Sequence, residues 1–152
     1  MGSRTVQAED YRSGRGFRQT VEMLADKLRA AINAHDIEAF MACFDDEYDS
    51  AQPAHPGREF HGPVQVRRNW TTMFREVPDI RAELLAKTED NGVEWAEWYW
   101  HGTRSDGSIF QMRGMTIEGT RNGRLGWQRL YMEEVEQTAE SIDATVQKLT
   151  HT

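Results

Sequence analysis

The stretch WAEWYWHGT, residues 95–103, carries a candidate for proton transfer, His101, among three tryptophans and a tyrosine. An imidazole has an unperturbed pKa near neutrality and can act as a general base. Whether it does depends on which way it points. A strand alternates its side chains between two faces. Trp95, Glu97, Tyr99 and His101 share one face, and Ala96, Trp98, Trp100 and Gly102 share the other. The expected arrangement turns Trp98 and Trp100 inward and Trp95, Tyr99 and His101 outward. With the faces reversed, His101 would enter the interior and supply a base.

The remaining reactive side chains form no recognisable set. His35, His55 and His61 lack metal-ligand spacing, and His55 and His61 are separated by a Pro/Gly loop, a poor preformed pair. The acidic run DDEYD at 45–49 lacks the turn glycine and distal glutamate of a calcium loop. Cys43, the single cysteine, excludes an internal disulfide and cysteine-based zinc, and reads as a buried structural thiol beside Phe44. Glu97 reads as a paired surface carboxylate, and Glu133 as a structural partner of Arg129 or Arg113. No metal and no cofactor is expected.

The elements that must position these groups follow from periodicity. Phe17, Val21, Leu24, Leu28, Ala31 and Ile32 recur at helical spacing and predict a helix over 17–34. Asp36 caps a second, short helix with Ile37, Phe40, Met41 and Phe44 as its apolar stripe. An extended piece at 48–52 and a Pro/Gly loop follow. Gly62-Pro63 opens a third helix that Pro78 stops. Strands are predicted at 80–87, 93–104, 108–121 and 124–133, separated by DNG, SDG and NG turns. Gly114 and Gly119 mark candidate bends in the third of them. Val135, Ala139, Ile142, Val146 and Leu149 then form a two-per-heptad helical stripe. Residues 1–15 read as a disordered or mobile arm, 16–133 as the domain, and 134–152 as an added amphipathic helix.

The 152 residues suit one domain with a sizeable core. A formal net charge of −7 without a Lys/Arg cluster argues against nucleic acid or an anionic membrane as partner. No apolar run resembles a signal peptide or a membrane span, so the expected location is cytoplasmic.

Three helices followed by an antiparallel meander make an α+β arrangement. The segments AHDIEAFMACFDDEY (34–48), GREFHGPVQVRRNW (57–70), PDIRAELL (78–85), AEWYWHGT (96–103) and MRGMTIEGTRNGRL (112–125) resemble the NTF2-like cone. Their closest resemblance is to its SnoaL-like polyketide cyclase and ketosteroid isomerase branch. That resemblance implies three helices packed on a curved four-stranded sheet around a cavity, plus the extra C-terminal helix. The fold hosts isomerases, cyclases, dehydratases, epoxide hydrolases and non-catalytic modules, so function rests on the pocket residues.

The acid–base groups that the resemblance implies are missing. The isomerase tyrosine position falls on Leu28, its base on Gln52, and its protonated acid near Met115 or Thr116. The cyclase acid falls on Leu130, and its two histidines on Gln128 and Thr116. Epoxide-hydrolase Asp–Arg–Asp residues have no counterpart. The expected pocket is therefore lined by Gln52, Thr116 and Gln128, with Trp70, Trp98, Trp100, Met112 and Leu130, and suits a hydrophobic small molecule. Asp49, near the expected pocket mouth, and His101 are the candidate catalysts.

Two readings stay open. One is a cyclase, isomerase or dehydratase acting on a cyclic apolar substrate. The other is a non-catalytic ligand-binding or dimerisation module. A homodimer through the aromatic outer sheet face and the C-terminal helix is expected in either case.

Overall fold

A computed structural model of the chain describes residues 4–6 and 22–151. Helix α1 spans Leu24–Ala34, α2 Ile37–Met41, α3 Pro63–Glu76 and α4 Ile142–Thr150. Strands are β1 Arg4–Val6, β2 Phe44–Ala51, β3 Phe60–His61, β4 Arg81–Asp90, β5 Val93–Thr103, β6 Ile109–Arg121 and β7 Arg124–Glu134. The sheet order is β1-β4-β5-β6-β7-β2-β3. All neighbours are antiparallel except β2 and β7.

The four-stranded meander β4–β7 is the expected one, and the class is α+β. The sheet is wider than expected because β2 and β3 extend one edge and β1 the other. Phe44, read as the end of a helical stripe, instead opens β2, whose parallel pairing to β7 begins with Phe44 opposite Leu125. Arg4–Val6, assigned to a mobile arm, pairs with Lys87–Glu89. The rest of that arm, and Phe17 and Val21 of the expected first helix, lie outside the described residues.

Local chemistry accounts for the turns. Asn91 and Gly92, and again Asn122 and Gly123, have positive φ at both turn centres, as a two-residue hairpin with native twist requires. Gly114 is obligatory, since a Cβ there would overlap the Tyr131 carbonyl oxygen. Gly119 leaves room for the Trp127 indole, and the β6–β7 register shifts at this point.

Helix α1 lies on the concave face and buries Leu24, Ala25, Leu28, Ala31 and Ile32. Four polar connections sew it to the sheet. Its first amides, Leu24 and Ala25, donate to the Glu94 carboxyl at 2.9 and 3.0 Å. Asp26 meets Lys87 at 2.5 Å, with both side chains largely buried. Asn33 Nδ2 donates to the Ala82 carbonyl while the Ala82 amide donates back, at 3.1 and 2.7 Å. His35 Nε2 lies 2.9 Å from the Ile80 carbonyl oxygen. Glu94 thus serves as a distant N-cap, accepting two amides that a helix start leaves unpaired.

Helix α4 is capped by Ser141, whose hydroxyl accepts from Ala144 N at 3.2 Å. It is shorter than the expected 134–152 segment: Val135 and Ala139 precede it. Its apolar stripe is uncovered, with Ile142 and Leu149 both 74% exposed.

Replacing Glu94 by alanine leaves two buried amides without an acceptor. The expected cost is about 1–3 kcal/mol, read as a lower chemical-denaturation midpoint, with Glu94→Gln recovering part of it.

Candidate functional site

The cone encloses a cavity of about 220 Å³. Its wall is built by strand and helix periodicity. Leu28 and Ile32, one helical turn apart, come from α1, and Phe40 from α2. Val66, Asn69, Trp70 and Met73 come from one face of α3. Tyr48, Ser50 and Gln52 are alternate residues along and just past β2. The pairs Trp98 and Trp100, and Gln128 and Leu130, are alternate residues of β5 and β7; Met112 and Thr116 lie on one face of β6. All eight residues expected around the pocket therefore line this cavity.

Aromatic rings pack against one another in its wall. Phe40 and Trp70 lie 4.6 Å apart between centroids. Trp100 meets Trp70 edge-on at 5.3 Å and Trp98 at 6.1 Å. Such tilted pairs are favourable beyond their buried area.

A polar line crosses the wall. The Tyr48 hydroxyl donates to Gln128 Oε1 at 2.8 Å. Gln128 Nε2 donates to Glu118 Oε2 at 2.5 Å. Trp98 Nε1 donates to Thr116 Oγ1 at 2.9 Å. Burial pushes the Tyr48 phenol well above its ordinary range, so it stays protonated. Burial, together with the nearby Glu94 carboxyl, pushes the Glu118 carboxyl up to about 8. Glu118 lies outside the lining, behind Gln128, and its Oε1 has no partner.

Both candidate catalysts lie outside the cavity. Asp49 falls between inward-facing Tyr48 and Ser50, so strand alternation turns it out. Its carboxylate is held by His61 Nδ1 at 2.7 Å, which raises the His61 pKa. His101 has the opposite parity to Trp100. It stacks on Tyr99 at 4.7 Å and lies 3.8 Å from Glu83 on the outer face. The reversed orientation of β5 is thereby excluded. Glu133, read as a partner of Arg129 or Arg113, is instead 2.7 Å from His55 Nε2. Arg113 lies over Tyr99 and Arg129 over Trp127. Cys43 is buried, and desolvation pushes its thiol up to about 11. No group of three or more potential metal ligands converges among the described residues.

Glu94 and Glu118 were missed by the sequence reading. They pair in register on neighbouring strands, on the concave face. Their parity was available: Glu94 lies four residues before Trp98, and Glu118 two after Thr116.

The Glu118 shift sets a pH dependence. Glu94 from β5 raises the Glu118 pKa further, while Gln128 from β7 and Thr116 from its own strand lower it. Between the ordinary 4.5 and about 8, the folded chain keeps a proton that the unfolded chain releases. The contribution is fully present below that window, and stability falls as pH rises through it. Thermal melts from about pH 5 to about pH 9 should show this decline. Glu118→Gln should flatten it and melt several degrees above the parent at the alkaline end.

An uncharacterised protein of ketosteroid isomerase-like fold from Catenulispora acidiphila, solved with trimethylamine, is 13% identical with a TM-score of 0.62, covering 72% of this chain and 85% of its own. An NTF2-like protein of unknown function from an Exiguobacterium species is 20% identical with a TM-score of 0.61, covering 76% and 100%. IdmH from Streptomyces antibioticus, proposed to be a polyketide cyclase, is 17% identical with a TM-score of 0.62, covering 73% and 88%. At these identities the likeness establishes the fold alone. A comparison with curated protein sequences finds no match. The family model of the SnoaL-like domain matches residues 25–125, two thirds of the chain, and the chain therefore belongs to the SnoaL-like family of the NTF2-like superfamily.

Proposed function

We propose that this chain binds a small, uncharged, ring-bearing apolar molecule inside the cone, as a binding module rather than an acid–base enzyme. One observation carries this reading. The cavity lining consists of apolar side chains, amides and hydroxyls; among the described residues it holds no carboxylate, histidine, lysine or arginine. Burial of apolar area supplies the affinity, and a few fixed polar groups supply the orientation. A charged ligand would meet no counter-ion among the described residues of the lining and would lose its hydration.

A cyclase, isomerase or dehydratase reading has one specific support. Glu118 is a neutral carboxyl near pH 7, connected through Gln128 to the Tyr48 hydroxyl at the wall. Catalysis would require Glu118 to exchange a proton with substrate across that amide.

Thermal-shift screening against steroids, aromatic polyketides and terpenoid epoxides tests binding, and turnover assays on any hit separate the readings. The expected result is stabilisation without turnover, lost on Trp70→Ala. Turnover that disappears in Glu118→Gln while binding persists would establish the enzyme instead.

A homodimer belongs to the same proposal. The outer face exposes Met115 and Tyr131, and α4 exposes Ile142, Val146 and Leu149; exposed apolar patches of this kind are typical of interfaces. Light scattering at tens of micromolar should give twice the mass of one chain, and Val146→Glu with Leu149→Glu should lower it.

A further inference from the structure

Donors in the cavity wall are largely committed to the protein itself. The Tyr48 O–H is spent on Gln128, and the Trp98 N–H on Thr116. Gln128 directs Nε2 at Glu118. One buried donor is different. Among the described residues, only two buried side-chain polar atoms lack a hydrogen-bond partner, Trp100 Nε1 and Glu118 Oε1. Trp100 is a lining residue and 8% exposed; Glu118 is not part of the lining. The nearest aromatic neighbours of Trp100 are the Trp70 and Trp98 rings, which offer no acceptor oxygen.

An unpaired buried N–H is costly, and native structures seldom leave one. An indole donates and cannot accept, so its partner must be an acceptor. Resting on the binding reading above, we propose that the ligand carries a hydrogen-bond acceptor oxygen, a ring ketone or ring ether, that accepts from the Trp100 indole N–H. The aromatic wall of Phe40, Trp70 and Trp98 then holds the ring system. Trp100 is the specificity-determining residue: it distinguishes a ring bearing such an oxygen from the plain hydrocarbon.

Two probes of nearly equal size test this, 1-tetralone and tetralin, titrated calorimetrically against the parent chain and Trp100→Phe. Loss of one neutral hydrogen bond should weaken tetralone about fivefold to tenfold and leave tetralin within about twofold. Equal weakening of both probes in Trp100→Phe would overturn the proposal, since that reports lost packing. Should Trp100→Phe fail to fold, nitrogen-15 spectra of the parent chain decide. The Trp100 indole N–H resonance should move downfield with tetralone and not with tetralin. An unmoved resonance with tetralone bound would reject the hydrogen bond. Binding of neither probe would reject the pocket reading itself, a result distinct from equal binding of both.

Discussion

The position of α1 on the sheet depends on the Glu94 carboxyl. It accepts the Leu24 and Ala25 amides from a strand that is otherwise aromatic and apolar on its concave side. Without that acceptor the helix would start over a buried apolar surface with its amides bare. Asp26–Lys87 and the Asn33–Ala82 exchange then fix the helix along its length. Leu28 and Ile32 face the cavity because the helix is held at both ends. The cavity wall is thus set by polar contacts at its margins, while its interior stays apolar.

The same economy governs the wall opposite. Leu28, Gln52, Thr116, Gln128 and Leu130 all line the cavity. Two of them, Thr116 and Gln128, are absorbed into hydrogen bonds with Trp98, Tyr48 and Glu118. Their polarity is satisfied within the protein, which rigidifies the surface a ligand meets. Glu118 contributes from behind, as a neutral group that costs less to bury than a carboxylate.

Much of this was legible in the sequence. Period-two alternation put Trp98 and Trp100 on one face, expected to be the inner one, and Asn-Gly turns delimited the hairpins, because both signals are local in the chain. The sheet edges were not legible. Phe44 fits a helical stripe locally, and only its pairing with Leu125 makes it a strand residue. Arg4–Val6 is too short to show an alternating pattern, and its strand is defined by pairing with β4. Asp49 and His101 have the chemistry of catalysts, yet strand parity turns both outward. Glu94 and Glu118 present the opposite case. A glutamate in a strand reads as solvent-facing even where its parity matches inward neighbours, and what makes burial tolerable here is the helix start or the amide that meets it.

Cys43 has a use that follows from its place between Phe40 and Phe44, both cavity-lining residues. Its Sγ lies 3.6 Å from the Ala39 carbonyl oxygen, and its own carbonyl accepts from Leu125 N at 2.7 Å. As the chain's single thiol, held protonated and away from solvent, it reacts only when α2 and β2 part. The rate of modification by a disulfide reagent is therefore a clock for opening at the base of the cone. A molecule that binds only the closed cavity would slow it in proportion to its occupancy.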